Sequence, residues 1–267
     1  MVSIGNVYIQ LDDSKTALLY YNKALKIFEL LKNKAGVALS LSNIGNTLLT
    51  NAKYQKSLNY SLKALNIYKA LNDKINIVRV LSNVGETYYY QSDYSSSLKY
   101  EFESLRICNE LELKKASTRN MSDIGRVYLE IAIDSNNILL NKLFGGSKTR
   151  ALNQAKGYIE SAIMVSKKIS FLDIDDYEIL SEIQNLLGDC EGALENFTVF
   201  SYGMDSVLQL RKDKKIIQTV MQYEFDKKEA FSKAEQEKKD ILQSNIRNSF
   251  IGGFILMLIL AGVSYNS

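Results

Sequence analysis

The chain has 267 residues, of which 46% are hydrophobic and 24% are charged, so it can bury a sizeable core in one or two domains. Its net charge is only +3 with acidic and basic residues interspersed, which predicts no nucleic-acid partner. Histidine is absent, and with it the usual general base and the commonest metal ligand. We therefore predict a protein that is not an enzyme and that binds no metal and no cofactor.

The remaining composition favours long helices and two cysteines with free thiols. Proline and tryptophan are absent and glycine is scarce, as in long helices joined by short turns. Cys108 and Cys190 are far apart and form no CxxC pair. We predict that both are small core side chains and that neither forms a disulfide.

A glycine recurs at one constant spacing in "SIGNVYIQ", "NIGNTLLT", "NVGETYYY" and "DIGRVYLE". A fixed period of this length is typical of solenoids built from helical hairpins. Small residues follow the glycine at two constant offsets, where the second helix of a hairpin would cross the first. We predict an all-α solenoid whose close crossings use Gly5, Gly45, Gly85, Gly125, Ala17, Ser57, Ser97, Ala24, Ala64 and Ser104.

The same blocks resemble the tetratricopeptide repeat (TPR) family in its forty-residue variety. The resemblance rests on an apolar residue, the glycine and an aromatic residue three positions later, as in Ile4-Gly5-Tyr8, Val84-Gly85-Tyr88 and Ile124-Gly125-Tyr128. The second block has Leu48 at the aromatic position, and the family's frequent proline is missing throughout. The resemblance implies repeats over 1–34, 36–74, 76–114 and 116–170, and a degenerate fifth repeat over 173–204.

The fourth repeat contains an insertion near residues 132–149. The step from its glycine, Gly125, to its second small residue, Ala162, is much longer than the equivalent step from Gly45 to Ala64. Ala155 takes the first small position. The inserted "NNILLNKLF" either extends the first helix or forms a short helix of its own. Gly145 and Gly146 are predicted to form a turn, because no phosphate-loop pattern follows them.

The concave face of such a solenoid binds extended peptides or helices of partner proteins. The resemblance implies that the residue after each glycine points into this face, and a side-chain amide there can pair with a peptide backbone. The alternative is that these side chains only solvate an exposed helix face. The partner-binding candidates are Asn6, Asn46, Glu86, Arg126, Ser42, Ser82, Ser122, Tyr89, Tyr90, Arg79 and Arg119.

Residues 205–248 are rich in helix formers and lack glycine, which predicts a charged rod about 65 Å long. Its apolar seam is interrupted by the charged stretch 235–239, so the rod either pairs in a homodimeric coiled coil or stays a single solvated helix. Residues 249–265 follow directly after this rod. They carry no charge and reach the lower length limit of a bilayer span, so we predict one transmembrane helix there.

Repeats, a charged helix and one span together resemble the sensor half of bacterial membrane signalling proteins of the histidine kinase or nucleotide cyclase type. The resemblance implies a peptide-binding receptor part with extracytoplasmic repeats and an effector outside this chain. Both ends are then expected to be truncated, since Met1 falls inside the first helix of its repeat. The alternative is a tail-anchored cytosolic scaffold, which the basic residues Lys238, Lys239 and Arg247 before the span favour.

Overall fold

The computed structural model describes residues 1–134, 138–171, 173–204, 235–241 and 243–244. The chain divides into two units, Met1–Gln209 and Leu210–Ser267. In the second unit, residues 235–241 and 243–244 are helical. The first unit contains α1 (Val2–Gln10), α2 (Ser14–Leu30), α3 (Lys34–Thr50), α4 (Tyr54–Ala70), α5 (Lys74–Tyr90), α6 (Tyr94–Glu110), α7 (Lys114–Ile133), α8 (Ile138–Phe144), α9 (Lys148–Lys168), α10 (Asp175–Leu187) and α11 (190–204).

These helices form a solenoid in which consecutive helices pack against each other, so the predicted all-α class is confirmed over the described residues. Each hairpin of two helices buries one apolar face against the neighbouring hairpins. Two core clusters result. One lies among α3 to α6 around Tyr68, Leu81 and Val84, and the other lies among α7, α9 and α10 around Ile131, Leu152 and Ile183.

The same type of turn closes each helix from α1 to α6, so each repeat contains two of these turns. After each helix from α1 to α6, one residue has a positive φ of 53–58° and the next amide bonds back to a carbonyl five residues earlier. In the first turn, the amide of Asp13 donates to the Tyr8 carbonyl at 2.9 Å. This is the Schellman arrangement that closes a helix C-terminus. Its left-handed position holds no glycine here and is occupied by Asp12, Lys32, Ala52, Asn72, Ser92 and Glu112.

Short polar side chains begin most of the helices. Asp13, Asn33, Asp73 and Asp93 each accept a hydrogen bond from the amide three residues later, at 2.9–3.1 Å. Such N-caps satisfy one of the free amides of a first turn. Each inter-helix connection is thereby reduced to a few residues, which keeps neighbouring helices antiparallel and in contact.

The repeat glycines lie where two helices come close together. A Cβ on Gly5 would overlap the Tyr21 ring, and one on Gly85 would overlap the Glu101 carboxylate. On Gly125 it would lie 2.6 Å from the Ile159 Cδ1 atom. The small residues of the second helices are all buried at these crossings, namely Ala17, Ala24, Ser57, Ala64, Ser97, Ser104, Ala155 and Ala162.

The inserted segment of the fourth repeat lengthens one helix and adds another. α7 has 20 residues where α3 and α5 have 17, and α8 follows it as a seven-residue helix. Leu140 of α8 is buried, and the Phe144 ring contacts the Tyr128 ring edge-on with centroids 5.5 Å apart. Gly145 and Gly146 then turn the chain into α9 with positive φ values.

The cysteine prediction was right for one residue and wrong for the other. Cys108 is buried and Cys190 is exposed, and both are free. Cys190 is the first residue of α11, directly after the turn at Gly188 and Asp189. Its thiol is therefore available to reagents in solution.

No helix within the described ranges combines the length and the apolar character that crossing a bilayer requires. The predicted span 249–265 lies outside those ranges. So does the predicted rod 205–248, apart from the helical residues 235–241 and 243–244.

Candidate functional site

A groove of about 860 Å³ lies between α5, α7 and the segment that enters α10. Side chains on the same face of α5 and α7 form its two walls, because residues three or four apart on a helix share one face. Seven of the predicted partner-binding residues line this groove, namely Arg79, Ser82, Glu86, Tyr90, Arg119, Ser122 and Arg126.

The other predicted residues lie elsewhere. Asn6 is exposed and accepts a hydrogen bond from the Tyr21 hydroxyl at 2.7 Å. Asn46 is also exposed, on α3, whereas Ser42 of the same helix is buried. Tyr89 is half-buried behind the groove wall. The structure thus concentrates the candidates in the third and fourth repeats, and partner binding by each of them stays a prediction.

The groove walls carry opposite charges that pair loosely. The Arg119 guanidinium lies 3.7 Å from the Glu86 carboxylate, and the Arg126 guanidinium lies 3.9 Å from the Asp123 carboxylate. Arg126 also lies over the Tyr89 ring, 5.8 Å from its centroid, and the Tyr89 hydroxyl donates to Glu130 at 3.1 Å. Since the Arg119 side chain is 64% exposed, its ion pair is weak and its guanidinium can turn to a ligand.

Two carboxyls form the floor of the groove, that of Asp176, which is buried, and that of Asp123, which is 15% exposed. Burial raises the pKa of Asp123 to about 6, against the lowering effect of the Arg126 and Arg119 charges. Burial likewise raises the pKa of Asp176 to about 7; the Ser122 hydroxyl opposes this rise, and the Asp173 charge adds to it. The sequence prediction missed Asp123 and Asp176, although Asp123 stands only two residues before Gly125.

A third carboxyl, Glu101, lies beneath the groove in α6 and is fully buried. The Asn120 amide donates to its Oε2 at 2.5 Å and to the Ser82 hydroxyl at 3.0 Å. Ser104 in turn donates to the Asn120 carbonyl oxygen at 3.1 Å. Burial and the Asp123 charge raise the pKa of Glu101 well above its usual range.

Sequence comparison among the repeats could have found Glu101. It occupies the position in its repeat that Tyr21 and Ser61 occupy in the first two repeats. Each of these side chains packs on the glycine of its own repeat. This position faces the helix crossing, and among these three repeats only the third has a carboxyl there. The carboxyl therefore indicates a polar site in the third repeat.

The rim of the groove is basic and apolar. The Lys115 ammonium lies 4.2 Å from the centroid of the Phe171 ring, and Lys114 is exposed nearby. Ile75, at the start of α5, presents an apolar side chain that is 66% exposed. The site therefore offers a ligand apolar contacts at the rim, alternating charges along the walls and carboxyls on the floor.

The groove does not have the geometry of a metal centre. Nowhere in the described ranges do three or more acidic or cysteine side chains converge closely enough to bind a metal ion. Its carboxyls are instead spread along α5, α7, the segment before α10 and the first turn of α10.

Sequence comparison identifies the repeats independently of the structure. Residues 34–110, which span α3 to α6, match the model of the tetratricopeptide repeat. No curated protein sequence matches the chain.

Solved structures extend the likeness beyond those residues. A Rap protein solved in complex with the Competence and Sporulation Factor has a TM-score of 0.62 at 15% identity, and the match covers 80% of this chain and 55% of that one. The apo form of RapI has a TM-score of 0.59 at 15% identity, over 76% of this chain and 52% of that one. A putative kinesin light chain from Podosopora anserina, with nearly identical TPR-like repeats, has a TM-score of 0.55 at 10% identity, over 77% and 93%.

The chain spans about half the length of the two Rap proteins, and at these identities the likeness concerns the fold alone. It agrees with the family match in the central repeats and with the helical hairpins on either side. Residues 34–110 are tetratricopeptide repeats, and the predicted resemblance of this chain to the TPR proteins is confirmed.

Proposed function

We propose that this chain binds a peptide or a peptide-like segment of a partner protein in the groove between α5, α7 and the start of α10. The observation that carries the proposal is the groove itself, which combines about 860 Å³ of space with charged walls and an apolar rim. Ligand sites in proteins are concave and place a few polar groups within mostly apolar surroundings.

The arrangement of charge supports a peptide over a small apolar molecule. Cations and carboxylates alternate along the walls, so that an extended backbone meets donors and acceptors in turn. The guanidiniums of Arg119 and Arg126 can donate to peptide carbonyls, and Glu86 can accept from peptide amides. One of the similar solved structures, the Rap protein, holds a bound factor, which supports a ligand-binding use of this fold.

A selection from a displayed library of random peptides tests the proposal. We expect peptides that bind the full chain in detergent and that lose at least tenfold in affinity on Arg126→Ala, because the Arg126 guanidinium lines the groove and can donate to peptide carbonyls. Arg150→Ala is the matched control, since Arg150 is an exposed arginine at the start of α9 and does not line the groove. Equal losses in the two variants would contradict binding in the groove.

We further propose that the chain is the sensor and scaffold part of a membrane-anchored signal-transduction receptor. The uncharged residues 249–265 after the basic Arg247 support an anchor. Deletion of 249–265 should move the expressed chain from the carbonate-resistant membrane fraction to the supernatant. If both forms fractionate alike, the anchor proposal is wrong.

A tail-anchored cytosolic scaffold is the second candidate, because Lys238, Lys239 and Arg247 all precede the apolar run and positive flanks favour the cytoplasmic side. The exposed thiol of Cys190 distinguishes the two. In a bacterial host that expresses the full chain, a membrane-impermeant maleimide should label Cys190 in intact spheroplasts if the repeats are extracytoplasmic. Labelling only after lysis would favour the scaffold, and Cys190→Ser is the control for specificity.

A further inference from the structure

One carboxylate oxygen in the groove floor lacks the partner that its burial requires. Asp176, in the first turn of α10, lines the groove and is 1% exposed. Its Oδ2 has no hydrogen-bond partner within the described part of the chain. Buried polar atoms in proteins are almost always paired, and an orphaned one calls for an explanation.

The surroundings of Asp176 are rich in negative charge. Asp123 of α7 and Asp173 of the preceding segment both act on it; Glu86 of α5 acts on Asp123, and Asp123 in turn acts on Glu101 of α6. Of the cations that line the groove, Arg119 and Arg126 of α7 act on Asp123, and they form ion pairs with Glu86 and Asp123 respectively. These pairs at 3.7 and 3.9 Å leave Asp176 without an ion pair among the described residues.

The position of Asp176 in a helix does not account for the orphaned oxygen. A carboxylate in a first turn interacts favourably with the helix dipole, but this does not require burial. Asp175 and Glu178 provide the same charge in the first turn of α10 while exposed to solvent. Asp176 is the buried member of the three and lies in the groove floor.

We propose that Asp176 and Asp123 form a subsite for a cationic side chain of the peptide, and that this side chain is an arginine. The inference rests on the proposed function and specifies its ligand. A guanidinium presents five N–H donors in a planar fork, enough to satisfy the free oxygen of Asp176 and to contact Asp123 as well. The methylene stem of the arginine would lie along the apolar part of the groove, as such stems do at partly apolar surfaces.

Saturation-transfer NMR with the full chain in detergent micelles tests the subsite without knowledge of the natural ligand. The probes are N-acetyl-arginine amide and N-acetyl-citrulline amide, which differ in charge and hardly in shape. At pH 8 we expect saturation transfer to the arginine probe to exceed that to the citrulline probe at least fivefold. Equal signals from the two probes would overturn the proposal.

Two variants locate the effect. Asp176→Asn should reduce the arginine signal to the citrulline level, and Glu178→Gln, a neighbouring exposed carboxyl outside the groove, should leave it unchanged. A full arginine signal from a folded Asp176→Asn chain would overturn the proposal. Should that variant fail to fold, the wild-type signal at pH 5 decides the matter, because a protonated subsite loses the arginine preference and an unchanged preference would refute it.

The library selection separates this inference from the proposed function. Selected peptides that bind the groove but show no preference for arginine at any position would refute the subsite and leave the function standing. A failure to select any peptide, together with a clear arginine signal in the NMR experiment, would support the subsite and count against peptide binding.

Discussion

Replacement of Asp176 by asparagine should change how the stability of the protein depends on pH. The folded state retains the Asp176 proton up to a pKa of about 7, whereas the unfolded chain releases it near 3.8. Between these values the folded state binds more protons than the unfolded state, so the free energy of unfolding falls as pH rises. Asparagine does not titrate, and the variant should lose this part of the dependence.

The size of the effect follows from the two pKa values. A pKa that rises from 3.8 to about 7 corresponds to a loss of about 4 kcal/mol once the carboxyl is charged, because one pKa unit is worth about 1.36 kcal/mol. Relative to the wild type, the variant should therefore gain about 4 kcal/mol between pH 4 and pH 8. At pH 4 the folded protein holds Asp176 in its neutral form, so we expect the variant and the wild type to differ little there.

Urea denaturation of the full chain in mild detergent, followed by circular dichroism at pH 4, 6 and 8, measures this difference. Glu178→Gln is the control, since it removes an exposed charge from the same helical turn and should show the same small shift at pH 6 and pH 8. If the free energies of unfolding of Asp176→Asn and wild type differ by the same amount at every pH, the raised pKa of Asp176 is refuted.

Three further predictions concern packing, turns and binding. Gly85→Ala should lower the free energy of unfolding by about 1–3 kcal/mol, because the added Cβ would overpack against the buried Glu101 carboxylate. Gly157→Ala has no atom within 4 Å of its added Cβ and should raise the free energy of unfolding by up to about 1 kcal/mol. Ala52→Gly should raise the free energy of unfolding by about 0.5–1 kcal/mol, because residue 52 has a φ of 54°. Asn72→Gly should raise the free energy of unfolding less, since asparagine tolerates this conformation. Asn46→Ala should change neither peptide capture in the groove nor the melting temperature, because its amide is exposed on α3 and does not line the groove.

Urea denaturation compares the glycine and turn variants, and the selected peptides provide the binding assay for the asparagine variant. Shifts of the two alanine variants in the same direction would show that contacts of the added Cβ do not decide their stability. Destabilisation of the chain by glycine at position 52 would show that alanine is not strained there. Loss of capture in a stable Asn46→Ala chain would place part of the binding surface on α3, outside the groove.

The solenoid could be predicted because one residue type, glycine, recurs at one constant spacing. Only glycine fits where α5 crosses α6, so Gly85 and its equivalents recur at a constant interval along the sequence. The turns could not be recognised as a regular series, because their left-handed position accepts residues as different as Lys32 and Glu112. Backbone hydrogen bonds form the Schellman turn, and they leave little trace in side-chain identity.

The walls of the groove could be predicted, and its floor could not. Glu86 and Arg126 follow repeat glycines and project into the groove as the family pattern implies. Asp176 belongs to the degenerate fifth repeat beyond an insertion, where no spacing relates it to Asp123. Their proximity depends on how α10 packs against α7 and α9, and that is a property of the tertiary structure.

Hydrogen–deuterium exchange of the full chain with and without a selected peptide tests the central claim most directly. We expect the peptide to protect amides in α5, in α7 and at the start of α10, which together surround the groove. Protection confined to α4 and α6, or none in α5 and α7, would contradict peptide binding in the groove.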